Sequence, residues 1–151
     1  PCIEACPSKI DVPKYIDGVK GGKFDYALGV ILDKYPLAAT CGRVCVRFCE
    51  TACRRNAADG PVAIRLLKRY AADQAIINQR CVTCHAPHPT FAGFSAPPKG
   101  VLLDTPAHIL ANAVAMQTQL TTRVMPIGNL TQMTDAERET VLAWLRDGAP
   151  R

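Results

Sequence analysis

Residues Cys41 to Cys53 read CGRVCVRFCETAC, four cysteines at successive x3 spacing. Whether this run is one helix decides the fold around it. On an unbroken helix, neighbouring members lie about 5–6 Å apart and can share one site. The outer pair, Cys41 and Cys53, would be about 18 Å apart by helical rise, too far for a single site. The run is therefore expected either to bend, with Gly42 the candidate hinge, or to divide its cysteines between two sites. Clustering of this kind points to cofactor ligands: an iron–sulfur cluster, or zinc, whose ligand spacing includes C-x3-C.

Upstream, PCIEACP (residues 1–7) sets Cys2 and Cys6 at x3 spacing before a proline. This is the second half of the bacterial ferredoxin run C-x2-C-x2-C-x3-C-P, whose fourth cysteine ligates the other cluster in two-cluster proteins. The first half would precede Pro1, so the start is expected to lack ligands. Downstream, QRCVTCHAPHP (residues 79–89) holds Cys81, Cys84 and His85 as C-x-x-C-H. That is the attachment pattern of haem c, in which both cysteines bond the haem and the histidine binds its iron. The rival, a thioredoxin-like redox pair, belongs near a βαβ pattern, which is missing here. A methionine thioether as sixth ligand would raise the potential. Met125 precedes Pro126 in a loop and is biased toward extended backbone. Met133 edges the last helix, and Met116 falls within one, where core packing is the plainer role. His88 and His108 read as ordinary loop and helix residues.

Between these motifs the apolar periodicity is helical. KFDYALGVILDKY sets Phe24, Ala27, Leu28, Ile31, Leu32 and Tyr35 on one face before Pro36. In DGPVAIRLLKRYAADQAIINQR, Gly60 is the expected N-cap and Pro61 the first helical residue of a helix that runs into Cys81. Thr105 and Pro106 open another helix. Thr134 with Glu137 forms a capping box before Val141, Trp144 and Leu145, and Gly148 is the expected C-cap. The loop at residues 86–104 is too long for an ordinary connection and is expected to wrap a cofactor. No strand alternation appears, so the fold class is all-α, with a functional boundary near Asp73–Ala75.

The eight cysteines among 151 residues fall below the roughly 8–10% of a disulfide scaffold. No stretch reaches the ~18 apolar residues of a membrane span. Residues 1–80 hold 13 Lys and Arg against 8 Asp and Glu, while residues 81–151 hold 5 against 5. Arg43, Arg47, Arg54 and Arg55 carry much of this excess among the cysteines. Aromatic residues do not interleave them, so compensation of thiolate charge is expected rather than nucleic-acid binding.

CPSKIDVPKYI, PLAATCGRVC, CETACRR and GPVAIRLLKRYAAD together resemble the N-terminal helical iron–sulfur domain of the glutamate synthase small subunit and of dihydropyrimidine dehydrogenase. The resemblance covers residues 1 to about 73. It implies two [4Fe-4S] clusters sharing ligands between the two cysteine runs and exchanging electrons with a flavin. Cys6, Cys45 and Cys49 are implied for one cluster, and Cys2 and Cys53 for the other. Where some members carry a Glu or Gln ligand this chain has Lys68, so Cys41 is the implied fourth ligand of the first cluster. The second is left with two cysteines and is not expected to load. Val46 replaces the usual proline after Cys45.

CVTCHAPHPTFAGFSAPPKGVLLDTP with MPIGNLTQMTDAERETVLAWLRDGAP resembles the C-terminal cytochrome c domain of the membrane-bound, urate-oxidising enzymes of bacteria. It implies a class I cytochrome c domain over residues 75–151, with Cys81 and Cys84 bonded to haem c, His85 proximal and Met125 distal. The expected architecture is thus an N-terminally truncated, helical ferredoxin-like iron–sulfur domain at residues 1–73 followed by that cytochrome domain. The abrupt change near Asp73 and Gln74 suggests a fusion or a composite.

No G-x-G fingerprint occurs and no nucleophile–base constellation stands out. The expected function is electron transfer through haem c and one [4Fe-4S] cluster, as a carrier or as the electron-transfer portion of a larger oxidoreductase. The alternatives are a zinc-binding interaction module, or a fragment of a flavin-dependent or urate-oxidising enzyme. Expected partners are redox proteins or other subunits, with no nucleic acid and membrane contact only through a partner or a missing segment. Haem attachment implies the periplasm or the outer face of the membrane, whereas the iron–sulfur resemblance implies the cytoplasm.

Overall fold

A computed structural model describes residues 1–148; residues 149–151, which end the second expected domain, lie outside the described residues. Among the described residues all regular structure is helical. The chain divides into two compact units, Pro1–Ala75 and the residues from Ile76 onward. No described helix is long and apolar enough to cross a membrane.

The first unit is built from α1 (Cys2–Ala5), α2 (Val12–Lys20), α3 (Phe24–Leu32), α4 (Ala38–Val44), α5 (Phe48–Thr51) and most of α6 (Ile64–Ile77). The Asp11 side chain caps α2 by accepting from the Lys14 amide at 3.2 Å. α2 packs on α3, α3 on α4 and α1 on α5. Ile10, Tyr15, Ala27, Ile31, Ile64 and Ala71 fill the core. The expected stripe on α3 is narrower than its periodicity suggests: Ala27 and Ile31 are buried, whereas Leu32 is exposed. Phe24 instead packs edge-on against Tyr70 of α6, with ring centroids 5.4 Å apart.

The cysteine run does bend, but not at Gly42. Gly42 lies within α4, and the break comes at Cys45, with ψ 134°, and at Arg47, with φ 69°. Gly42 serves a different purpose: a β-carbon there would stand 2.8 Å from Cα of Arg69, so α4 and α6 meet at the glycine backbone. The start of α6 also departs from expectation. Gly60 has φ +102°, residues 60–63 are non-helical, and the helix begins at Ile64. Tertiary partners compete for this segment. Glu50 Oε1 accepts from the Arg65 amide at 2.8 Å, capping α6 from another part of the chain, and the Tyr15 hydroxyl donates to the Ile64 carbonyl at 2.9 Å.

The second unit contains α7 (Pro106–Ala111), α8 (Ala113–Thr121) and α9 (Asp135–Arg146), and α8 packs on α9. α6 continues into a π-helical turn at Asn78–Val82, which carries the backbone through Cys81. The single helix expected after Thr105 is split at Asn112, whose amide donates to the His108 carbonyl at 2.8 Å and draws the backbone out of helical geometry. The Thr134–Glu137 capping box is present. Asp147 is the C-cap of α9, with Gly148 following at φ +83°. Ile77, Ile109, Leu120, Val141, Trp144 and Leu145 form the core of this unit.

Two glycines on helices make opposed predictions. Gly42→Ala forces α4 off α6 and is expected to destabilise the protein by about 1–3 kcal/mol. Gly29→Ala on α3, where nothing lies within 4 Å, is expected to be neutral or to stabilise by about 0.5–1 kcal/mol. Urea midpoints of the two variants, followed by circular dichroism, check both signs.

Candidate metal centre

Three short elements bring the front cysteines together. Cys6 ends α1, Cys45 ends α4, and Cys49 is the second residue of α5. Their side chains line one pocket, closed by Tyr15 and Ile64 and by Lys68 of α6. Cys41, one helical turn before Cys45, is reached from the same pocket wall: Lys68 Nζ donates to its Sγ at 3.0 Å. Cys2 and Cys53 are not among the residues lining this pocket. Among the described residues no three His, Cys, Asp or Glu side chains converge as a single-ion site. What unites Cys6, Cys45 and Cys49 is thus a shared wall rather than direct contact.

The bend at Arg47 has a chemical result, since it turns the Arg47 amide onto Cys45 Sγ at 3.4 Å. Burial pushes the Cys49 thiol up, as do the neighbouring Cys45 and Cys6, while Lys68 pulls it down. Tyr15 is raised by burial and then by Cys49, Cys6 and Cys2, so its hydroxyl stays protonated and donates to Ile64. Cys53 behaves oppositely. Backbone N–H groups of Val62 and Arg55 donate to its sulfur and lower its pKa, favouring the thiolate.

The arginines serve the thiolates only in part: the Arg55 charge helps to lower the Cys53 thiol, while three of the four pair with carboxylates. Arg43 pairs with Asp73 at 3.6 Å, Arg47 with Glu50 at 4.0 Å, and Arg55 with Asp59. Carboxylates claim them because each lies within reach along or between the helices. The cation on a thiol is Lys68, which the sequence reading weighed only as a failed ligand. Its signal was present: Ile64, Lys68, Ala71, Ala72 and Ala75 share the buried face of α6, and a lysine in that register needs an anion.

In the second unit the Cys84 and His85 amides both donate to the Cys81 carbonyl, at 3.1 and 2.9 Å, so C-x-x-C-H forms a tight helical turn. The expected loop folds back on it: Thr90 and Phe91 amides donate to the Thr83 carbonyl, and the Leu103 amide donates to the His85 carbonyl at 2.8 Å. His85 Nδ1 lies 3.0 Å from the Val101 carbonyl. A carbonyl can only accept, so Nδ1 carries the proton and Nε2 holds the lone pair. Burial, with Cys84 adding to it and Arg138 opposing, pushes the Cys81 thiol up to about 12.

Met116 and Met133 are buried in the core of the unit. Met125 is half-buried, and its backbone is held by the Gln119 carbonyl at 3.2 Å and by Arg138 Nη1 at 2.6 Å. Arg138, itself buried, also donates to the Leu120 carbonyl at 3.2 Å. His88 is exposed, and His108 Nδ1 lies 2.7 Å from Asp104.

The cysteine pattern and its pocket coincide with a known domain. Residues 1–80 match the family of dihydropyrimidine dehydrogenase domain II, 4Fe-4S cluster. This chain belongs to that family. Among similar proteins, the NADP(+)-dependent formate dehydrogenase subunit beta of Moorella thermoacetica is 46% identical over 76 residues, 50% of this chain and 11% of the relative. The NADPH-Fe(3+) oxidoreductase subunit beta of Geobacter sulfurreducens is 49% identical over 73 residues, 48% of this chain and 11% of the relative. The NAD-dependent dihydropyrimidine dehydrogenase subunit PreT of Escherichia coli K12 is 35% identical over 75 residues, 48% of this chain and 18% of the relative. The chain thus spans between 11% and 18% of the length of these curated relatives. No solved structure matches it.

Asp73 of the family domain is fully buried between Arg43 and Arg69. Burial raises it from 3.8 to about 6, with both arginines opposing. The folded protein therefore binds this proton more tightly than the unfolded chain. The contribution is fully present below about pH 3.8 and is lost as pH rises through about 6. Relative to Asp73→Asn, the wild type is expected to lose about 1.4 kcal/mol between pH 5 and 8. Parallel urea titrations of the two proteins measure the difference, and a pH-independent gap refutes it.

Proposed function

We propose that this chain transfers electrons through one [4Fe-4S] cluster held by Cys6, Cys41, Cys45 and Cys49 and through a haem c bonded to Cys81 and Cys84. It does so as a carrier or as the electron-transfer portion of a larger oxidoreductase. The observation that carries the cluster is the shared pocket of Cys6, Cys45 and Cys49 in a segment of the 4Fe-4S family. Such a cluster supplies a one-electron couple. The chain's own part is to present the sulfurs of Cys6, Cys45 and Cys49 on a largely apolar wall with Cys41 behind Lys68, the Arg47 amide donating to Cys45 and Lys68 to Cys41. Cys2 and Cys53 are the two thiols these residues offer to the second cluster of the family.

The haem reading makes a cytochrome c domain of residues 75–151, beside an iron–sulfur domain at residues 1–73. It is supported by the His85 ring, which the Val101 carbonyl orients so that Nε2 is left to bind a metal. Met125 is the proposed distal ligand, and the packing of Met116 and Met133 in the core of the unit supports that choice over them. Bound haem supplies a second one-electron couple, of higher potential when methionine is its sixth ligand. Partners are redox proteins or other subunits, in keeping with the relatives that are named as subunits of oxidoreductases. Haem attachment makes the site of action the periplasm or the outer face of the membrane, and a cluster without haem makes it the cytoplasm.

Visible spectra of the purified chain, oxidised and reduced, with an iron count, test the proposal: about five irons per chain are expected for both groups together. A single iron removes the cluster, and a colourless zinc protein removes both. Met125→Ala is expected to lower the haem potential and abolish any methionine-to-iron charge-transfer band. An unchanged band transfers the distal role to Met133.

A further inference from the structure

Lys68 occupies a position where a lysine is costly. It lies on the buried face of α6 among Ile64, Ala71, Ala72 and Ala75 and is only 5% exposed. A buried ammonium costs several kcal/mol unless an anion compensates it. Its one hydrogen bond among the described residues goes to Cys41 Sγ at 3.0 Å, and no ion pair joins it to a described carboxylate. The arginines on neighbouring elements already face Asp73, Glu50 and Asp59. The anions left to Lys68 are the sulfurs of Cys41 and of the pocket it lines with Cys6, Cys45 and Cys49.

We propose that Lys68 is the charge-compensating positioning residue that raises the reduction potential of the cluster at Cys6, Cys41, Cys45 and Cys49, an inference resting on the cluster reading above. Reduction adds one negative charge to a four-thiolate centre. A fixed cation in a low-dielectric wall stabilises the reduced form more than the oxidised one. The N–H donated to Cys41 acts in the same direction, because electron density on the ligand sulfur rises on reduction. One electron arrives from a one-electron carrier, which is oxidised. No bond is made or broken at Lys68.

The test is an EPR-monitored potentiometric titration of the cluster in the full chain, with acid-labile sulfide, which haem lacks, counting loaded clusters. Lys68→Met is expected to shift the reduced-to-oxidised ratio at fixed potential at least tenfold toward oxidised, which is about 59 mV for a one-electron couple. Lys68→Gln, which keeps a donor without charge, should fall between the two, and Lys68→Arg should stay within about threefold of wild type. An unmoved potential in a loaded Lys68→Met protein overturns the inference and leaves the cluster reading intact. If Met and Gln variants fail to load while Arg loads, the charge is needed even to assemble the centre, which supports it. Failure of all three reduces position 68 to packing and overturns it. Absence of labile sulfide from the wild type overturns both.

Discussion

The first unit depends on the approach of α4 to α6 at Gly42, where the Arg69 backbone leaves no room for a β-carbon. Residues to either side make their contacts because of that approach. One position back, Cys41 meets Lys68, and one position on, Arg43 reaches Asp73 and receives Arg65 on its carbonyl. Where α4 stops, Cys45 turns into the pocket. Glu50 then fastens the next cysteine segment to the first turn of α6. A close helix contact thus helps to build a chemical site: it sets Cys41 and Cys45 of α4 toward Lys68, while the packing of α1 on α5 brings Cys6 and Cys49 to the same pocket.

The eight cysteines are free thiols in different electrical surroundings, and the surroundings separate them. Cys53 has the backbone amides of Val62 and Arg55 and the Arg55 charge lowering its pKa. Cys81 lies where burial keeps the proton on sulfur well above neutral pH. Burial raises Cys49 as well, so the surroundings sort these thiols by burial and hydrogen bonding rather than by the cofactor proposed for each.

Local signals were legible in the sequence. Thr134 with Glu137, Thr105 before Pro106, and the absence of strand alternation led to helices that the structure contains. The grouping of Cys6 with Cys45 and Cys49, implied by resemblance, reappears as one pocket wall. Tertiary choices were not legible. Arg47 adopts φ 69° without a glycine to mark it, its amide donating to Cys45 Sγ and its guanidinium 4.0 Å from Glu50. α6 starts three residues after Pro61 because Glu50 and Tyr15, distant in sequence, take its first backbone groups. Asn112 splits a helix by spending its side chain on backbone carbonyls, a competition that periodicity does not register.

Charge shows why the remainder escaped a linear reading. The excess of Lys and Arg in residues 1–80 suggested a cationic field around the thiolates. The folded chain spends the arginines on carboxylates instead, Arg55 on exposed Asp59 and Arg43 on buried Asp73. Exposed pairs are screened by salt and contribute little at a distance, whereas a buried charge keeps its field. The potential at the sulfurs is thus set by a few short contacts: the Arg47 amide on Cys45, the Val62 and Arg55 amides on Cys53, and the Lys68 ammonium on Cys41. Counting basic residues does not single out Lys68, because burial and direction decide how strongly a sulfur feels each cation.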